Sequence, residues 1–190
     1  MLLKLEKEII EFSPYNEQEK LDKNILLKLL NSEKNIFSRK NKICHFTASS
    51  WIINEEKTKV LMIYHNIYNS WSWTGGHADE ETNLLKVALT EAKEETGLEN
   101  IKVLLEDIFS IEILTVDGHM KNGEYVSSHL HLNITYLLEA NEHDMLSIKE
   151  DENSDVCWIN IEESEKISKE EKMKIIYKKL NEKLKKYLRS

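Results

Sequence analysis

The chain has 190 residues, of which 41% are hydrophobic and 32% charged, and its 34 acidic and 26 basic residues give a formal net charge of −8 at pH 7. This composition is typical of one globular domain with a sizeable core, and the negative charge argues against general nucleic-acid binding, which depends on basic residues. No apolar run approaches the ~20 residues that span a bilayer, so we expect a soluble, cytoplasmic protein that binds neither nucleic acid nor membrane.

The N-terminal segment, residues 1–42, is rich in Lys, Glu, Asn and Leu and contains the only proline, Pro14. Charges within residues 4–8 interrupt any signal-peptide pattern. Apolar residues at helical spacing predict at least one amphipathic helix; they are Leu21, Ile25, Leu26, Leu29 and Leu30. We expect a helical extension that packs on the main domain, and the alternative is a dimerisation arm in a homodimer.

From Ile43 onward the sequence becomes typical of β-structure. Residues 44–53 and 59–65 are rich in β-branched and aromatic residues, and the polar segment between them predicts a hairpin. A short aromatic strand, residues 71–73, leads into the loop Gly75-Gly76.

A helix follows this glycine loop. Asn83 is a favoured N-cap residue, and Gly97 is well placed to end the helix in the left-handed conformation. The apolar residues fall on one side of the helix; they are Leu84, Leu85, Ala88, Leu89, Ala92 and Thr96. Glu91, Glu94 and Glu95 occupy an adjacent arc of roughly 100°, so the helix buries one face and directs three acids beside it.

Further strands are predicted at residues 101–105, 108–114, 126–138 and 156–159. The third alternates in polarity: Ser127, His129, His131, Asn133 and Thr135 face one way, and Leu130, Leu132 and Ile134 face the other. A C-terminal helix carries an apolar stripe of Met173, Ile176, Tyr177, Leu180, Leu184, Tyr187 and Leu188. We therefore predict one domain over residues 43–163, with residues 164–190 packed on it as a helix.

The three acids of the central helix lie at i, i+3 and i+4 and repel one another. A solvated helix face often carries such a charge run, and that is the alternative interpretation. The nearby glycine loop, which allows backbone to approach a ligand closely, favours a site instead. Clustered carboxylate oxygens suit Mg²⁺ or Mn²⁺, so we predict a metal site here.

The spacing of these residues resembles the Nudix box of the Nudix hydrolases. Matching positions are Gly76, Glu91, Glu94, Glu95, Gly97 and Leu98, with Ala92 as the small apolar position. The chain is similar in particular to a bacterial branch with His-Phe-Thr-Ala-Ser (45–49), Gly-Gly-His (75–77) and His-x-His-x-Asn (129–133). The resemblance implies an α/β (α+β) fold, a Nudix-type α/β/α sandwich with a mixed sheet and helical N- and C-terminal extensions.

The resemblance also implies an activity, which is Mg²⁺-dependent hydrolysis of a diphosphate linkage in a nucleoside diphosphate derivative or related metabolite. Glu91, Glu94 and Glu95 would bind Mg²⁺ or Mn²⁺, with the Gly76 carbonyl as a further ligand. Glu91, Glu94 or Glu152, which lies in the loop before the last strand, would accept the proton of the attacking water.

Two positions depart from the family pattern. Thr82 replaces the first glutamate, and Thr90 replaces an arginine that orients a catalytic glutamate. A neutral hydroxyl cannot reproduce a charged, two-pronged contact. Lys86 is one candidate for supplying part of the missing charge to Glu94, and we expect a weakened or altered site.

The remaining site predictions concern substrate contacts. His77, His129 and His131 are candidates for touching substrate phosphate or base, and Trp73 for touching a substrate ring. His129 and His131 as a pair have two other interpretations, zinc ligands or ordinary hydrogen-bonded sheet residues, and no third histidine has matching local spacing for zinc.

Two other functions compete with hydrolysis. Thr82 and Thr90 favour a nucleotide sensor that binds without turnover. An isoprenoid diphosphate isomerase of the same fold is the other, and it is disfavoured because no cysteine lies near the motifs. The only cysteines, Cys44 and Cys157, are far apart and lack metal-type spacing, which is usual for a reduced cytoplasmic protein.

Overall fold

The computed structural model describes residues 4–121 and 123–189. Within these ranges the chain forms five helices and ten strands. The helices are α1 (Lys4–Glu11), α2 (Glu17–Ser32), α3 (Leu84–Thr96), α4 (Ile161–Ile167) and α5 (Glu171–Tyr187). The strands are β1 (Cys44–Asn54), β2 (Lys59–His65), β3 (Ser70–Ser72), β4 (Thr74–His77), β5 (Ile101–Val103), β6 (Ser110–Val116), β7 (His119–Lys121), β8 (Glu124–Val126), β9 (His129–Ala140) and β10 (Asn153–Asn160).

The sheet confirms the predicted mixture of α and β structure. Its strands hydrogen-bond in the order β10-β2-β1-β9-β5, with β3 also paired to β2, β4 to β1 and β6 to β9. The hairpin of β1 and β2 is antiparallel, with Ile53 opposite Val60. Its turn is closed by the side chain of Asn54, which accepts hydrogen bonds from the backbone N–H groups of Thr58 and Lys59 at 2.8 and 2.9 Å.

The chain forms two compact units. The first comprises residues 1–49, 75–88 and 107–136, and the second comprises residues 50–74, 89–106 and 137–190. Large apolar side chains fill each of them. Phe46, Ile111, Leu132 and Ile134 are fully buried in the first unit, and Trp51, Ile52, Leu61, Ile63 and Tyr177 in the second.

Both predicted ends of α3 are confirmed. The side chain of Asn83 accepts a hydrogen bond from the backbone N–H of Lys86 at 3.2 Å, which satisfies one of the free donors of the first turn. Gly97 has φ +74°, and its N–H donates to the carbonyl of Lys93 at 2.9 Å. A positive φ at the residue after a helix favours glycine, because it has no Cβ to clash.

The predicted amphipathic helix is confirmed as α2, although only part of its apolar stripe is buried. Leu26 is fully buried, whereas Leu21 and Ile25 are 53% and 42% exposed. The helix contacts β6 through polar groups instead, because that strand offers backbone atoms to be paired. Asp22 accepts a hydrogen bond from the N–H of Ile113 at 3.0 Å, and Gln18 donates to the carbonyl of Ile111 at 3.0 Å.

The C-terminal stripe, in contrast, is buried as predicted at Met173, Tyr177, Leu180 and Leu184. The Tyr177 ring stacks on Trp51, with centroids 5.3 Å apart. Helix α4 was not predicted from the sequence. Across residues 4–121 and 123–189, no helix combines the length and apolar content needed to cross a bilayer.

Candidate functional site

Three glutamates lie on the last two turns of α3, as their spacing predicts. Glu95 is 1% exposed, Glu91 is half-buried and Glu94 is exposed. The arc of acids therefore runs from the protein interior to solvent. A carboxylate as deeply buried as that of Glu95 needs compensating partners. The exposed Glu94 has its partner in the loop before β10.

The partner of Glu94 is Lys149, a residue that the sequence analysis did not single out. Its ammonium donates to Glu94 at 2.9 Å and also pairs with Glu152 at 3.1 Å. Burial would lower the pKa of Lys149, but the two carboxylate partners and the charge of Glu91 outweigh burial and raise the pKa. Lys149 is therefore a fixed positive charge shared by acids that lie far apart in sequence.

A buried asparagine holds this loop against the helix. The side-chain amide of Asn153, which is fully buried, donates to the backbone carbonyl of Glu95 at 2.9 Å. Its oxygen accepts a hydrogen bond from the N–H of Lys149 at 3.2 Å, and the N–H of Glu152 donates to the carbonyl of Lys149 at 2.8 Å. Glu94, Lys149 and Glu152 are thus brought together by backbone contacts as well as by charge.

The structure also locates the two departures from the family pattern. Thr82 and Thr90 are both exposed. Lys86 donates to Glu81, which precedes α3, at 2.7 Å, whereas Lys149 contacts Glu94. The charge that we predicted Lys86 would supply to Glu94 is therefore supplied by Lys149.

Gly75 and Gly76, predicted as a loop, lie in β4, which pairs with β1. A Cβ on Gly75 would come within 2.5 Å of the carbonyl oxygen of Ala48 and 2.6 Å of the Ser49 hydroxyl. This close approach excludes any side chain at Gly75 without movement of the backbone. Gly76 and His77 follow within β4, and both are half-buried.

His77, His129 and His131 come together in this unit, and His45 joins them. The centroids of His77 and His131 are 4.9 Å apart, and those of His129 and His131 are 5.0 Å apart. His45 lies 5.2 Å from His77. The position of His45 on β1, two residues before Thr47 and four before Ser49, was the available sequence signal, because these polar residues share one strand face.

A buried polar network continues from the histidines along the same strands. The side-chain oxygen of Asn133 accepts hydrogen bonds from Thr47 at 3.0 Å and Ser49 at 2.9 Å, and its amide donates to Glu112 at 3.2 Å. Thr135 also donates to Glu112, at 3.0 Å. The predicted polar face of β9 is therefore satisfied by β1 and β6 rather than by solvent.

Trp73 belongs to the second unit and is 7% exposed. Its ring packs edge-on against Tyr177 at 5.7 Å, and its backbone N–H donates to the Tyr177 hydroxyl at 3.3 Å. Its predicted contact with a substrate ring stays a prediction.

Several solved structures share this fold. An Ap4A hydrolase from C. elegans is 20% identical, with a TM-score of 0.56 over 75% of this chain and 96% of that chain. A NUDIX family hydrolase from Clostridium perfringens is 21% identical, with a TM-score of 0.51 over 74% and 97% of the two chains. The dihydroneopterin triphosphate pyrophosphohydrolase of E. coli is 13% identical, with a TM-score of 0.53 over 70% and 92%. The fold is that of these hydrolases.

The sequence itself gives the family. The NUDIX domain model matches residues 45–182, which is more than half of the chain, so the protein belongs to the NUDIX domain family and is a Nudix hydrolase. No curated protein matches the sequence. The predicted family and Nudix-type α+β fold are confirmed, whereas the roles of individual residues stay predictions.

Proposed function

We propose that this enzyme hydrolyses a diphosphate linkage in a nucleoside diphosphate derivative or related metabolite, with Mg²⁺ or Mn²⁺ as cofactor. The observation that carries the proposal is the pairing of Glu94 and Glu152 with the ammonium of Lys149, whose pKa the charge of Glu91 also raises. Carboxylates from two distant segments converge closely enough to share one cation, which is what an acidic metal site requires.

The donor atoms fit the proposed metal. Glu91, Glu94 and Glu95 offer hard carboxylate oxygens, which Mg²⁺ and Mn²⁺ prefer. A bound Mg²⁺ neutralises the charge of a diphosphate and lowers the pKa of an attacking water. The Gly76 carbonyl is proposed as a further ligand from its place in the family motif alone.

The protein's own groups then divide the remaining work. One of Glu91, Glu94 and Glu152 accepts the proton of the water that attacks phosphorus. Lys149 contacts both Glu94 and Glu152, so it orients their carboxylates. It is a positioning residue that performs the task assigned in the family to the arginine replaced here by Thr90.

The substrate class is proposed more broadly than a single compound. Two of the similar structures are named for different substrates, Ap4A and dihydroneopterin triphosphate, so the shared fold does not fix the substrate. His77, His129, His131 and Trp73 stay the proposed substrate contacts.

A substrate screen with product identification tests the proposal. The full-length protein is incubated with Mg²⁺ or Mn²⁺ and a panel of nucleoside diphosphate derivatives, dinucleoside polyphosphates and pterin triphosphates. We expect monophosphate or inorganic phosphate release that stops when the metal is chelated. Binding of an intact nucleotide in titration calorimetry, without any product, would support the sensor instead.

Single substitutions then separate metal ligands from the general base. Glu94→Gln should weaken metal binding and lower the rate together if Glu94 is a ligand, whereas loss of a pure base lowers kcat at unchanged metal affinity. Glu99→Gln is the matched control, because Glu99 is an exposed acid just beyond the helix. The proposal fails if no substrate is cleaved and Glu94→Gln changes neither metal binding nor activity.

A further inference from the structure

Four imidazole rings converge in the first unit, and we call His45, His77, His129 and His131 the histidine cluster. His45 lies on β1, His77 ends β4, and the other two lie on β9. His45 lies 4.9 Å from His129 and 5.1 Å from His131 between ring centroids. One ring nitrogen from each of His45, His77 and His131 falls within 4.8 Å of the others.

His45 has a ring nitrogen that needs a ligand. Its Nδ1 lies 3.0 Å from the backbone carbonyl of Asn41. A carbonyl only accepts, so Nδ1 carries the proton and Nε2 presents a lone pair. His45 is 4% exposed, and Nε2 is buried with no hydrogen-bond partner among residues 4–121 and 123–189. Native proteins rarely leave such an atom unsatisfied.

His129 is oriented in the same way. Its Nδ1 lies 2.8 Å from the carbonyl of Ser127, which again leaves the lone pair on Nε2. That nitrogen is 3.2 Å from Nε2 of His131. This separation is that of a hydrogen bond between the two rings, and it is also close to the separation of about 3.3 Å between two nitrogens that bind one tetrahedral zinc at about 2.0–2.1 Å.

We propose that His45, His77 and His131 bind one transition-metal ion of the Zn²⁺ type through their ring nitrogens, with His129 beside them. Imidazole suits zinc and its neighbours, whereas Mg²⁺ prefers oxygen ligands. The hydrogen bonds from Nδ1 to backbone carbonyls are the outer contacts that usually orient zinc-binding histidines. The sequence alone offered only the His129–His131 pair, because His45 and His77 join it through the fold.

The charge state of the cluster is compatible with a cation. Burial and the neighbouring histidines lower the pKa of His131 to about 2, and burial lowers the pKa of His45. Neutral imidazole is the form that binds metal.

Side-chain hydrogen bonds next to the cluster join the two strands, β1 and β9, that carry three of its histidines. Asn133, two residues after His131 and on the same face of β9, joins Thr47 and Ser49 of β1 through its side-chain oxygen. Thr47 and Ser49 are in turn on the same face of β1 as His45. A buried network of this kind holds ligand side chains in position before the ion arrives.

This metal site uses nitrogen atoms and none of Glu91, Glu94 or Glu95, so its ligands are not those of the proposed Mg²⁺ site. The two hypotheses can therefore fail separately. If the histidines bind zinc, their contribution to the reaction is to the stability and shape of the first unit, and substrate contact passes to other groups.

Titration of the full-length protein with Zn²⁺ alone tests the site. The protein is stripped with a chelator, dialysed and titrated by calorimetry, and its metal content is measured after gel filtration. We expect one Zn²⁺ per chain that millimolar Mg²⁺ does not displace. Co²⁺ in its place should give the visible absorption of a nitrogen-ligated, low-coordinate ion.

Variants of individual histidines locate the binding. His131→Gln and His77→Gln, which lie on different strands and are half-buried, should each weaken Zn²⁺ binding at least about tenfold. His45→Gln should do the same. His143→Gln is the control, because His143 is exposed in the other unit. Circular dichroism of the metal-free proteins shows which variants keep the fold, and only those are compared.

Several results would overturn the proposal. One is a wild-type protein that retains no stoichiometric Zn²⁺. Another is unchanged Zn²⁺ affinity in folded His77→Gln and His131→Gln proteins. A third is loss of Zn²⁺ in Glu94→Gln with none in the histidine variants, which would place the ion on the carboxylates.

Discussion

Replacing Lys149 by Met tests whether this lysine orients the catalytic acids. The Lys149 ammonium contacts Glu94 at 2.9 Å and Glu152 at 3.1 Å. Each charge-assisted hydrogen bond is worth about 1.5–3 kcal/mol when shielded. The carboxylate side chains are 49% and 40% exposed, so solvent screening reduces each to about 0.5–1 kcal/mol. The combined loss is about 1–2 kcal/mol.

That loss corresponds to a fall of about 5- to 30-fold in kcat, because the misplaced carboxylates matter most in the transition state. Met keeps the apolar stem of the side chain and removes only the charge. Lys149→Arg should restore most of the rate, since it restores a cation that can reach both acids. The assay is initial rate against substrate concentration at saturating Mg²⁺, with the best substrate from the screen.

Lys86→Met is the matched control, because Lys86 is an exposed lysine paired with Glu81 at 2.7 Å. It should change kcat less than about twofold. The orienting role of Lys149 is refuted if Lys149→Met has wild-type kcat while its melting temperature shows an intact fold. It is also refuted if Lys86→Met loses the larger share of activity.

Three further predictions concern stability and loop position. Burial opposes ionisation of Glu139, but Lys57 and Lys102 hold its pKa below the ordinary value. Because Glu139→Gln removes these ion pairs, it should lower the free energy of unfolding at pH 7, measured with urea, by about 1–2 kcal/mol. Because the folded pKa is the lower one, this difference should shrink as the pH falls below about 4.5, and a constant difference would contradict it. Gly97→Ala should lower the free energy of unfolding by about 2 kcal/mol, because φ is +74° and a Cβ would meet the Ser147 hydroxyl at 2.1 Å. Gly123→Ala should lower it by only about 1 kcal/mol, because φ is +84° but a Cβ there would meet no atom within 4 Å. Equal losses in the two variants would refute the contribution of the Ser147 contact. Asn153→Ala should lower kcat with little change in KM, because it frees the loop that carries Lys149, and an unchanged kcat in a folded variant would count against that role.

Local signals in the sequence predicted much of the fold. Alternating and β-branched residues gave β1, β2 and β9 close to their observed bounds, because those strands are buried and their residue types match. Asn83 and Gly97 marked both ends of α3, since capping depends on the residue itself. Helix α2 was predicted, but its contacts with β6 were not, because they are made by the polar residues Gln18, Glu19 and Asp22. An apolar count cannot register such contacts.

Part of the candidate site could likewise be predicted from the sequence and part could not. Glu91, Glu94 and Glu95 are periodic along one helix, so their grouping was readable from spacing. Lys149 lies 55 residues from Glu94, and His45 and His77 approach β9 only through strand pairing. No local pattern reports a contact that depends on the register of distant strands. Lys149 and His45 were therefore found only in the structure, whereas His77 was predicted as a site residue but its contacts with the other histidines were not.

The central claim is that this chain hydrolyses a phosphoanhydride with the help of a divalent cation. The most direct measurement is turnover of the screened substrate in isotopically labelled water, with mass spectrometry of the products. We predict Mg²⁺-dependent cleavage that places one labelled oxygen on a single phosphate product and is lost in Glu94→Gln. Unlabelled products, rearranged substrate or a rate that does not depend on metal or on Glu94 would contradict it.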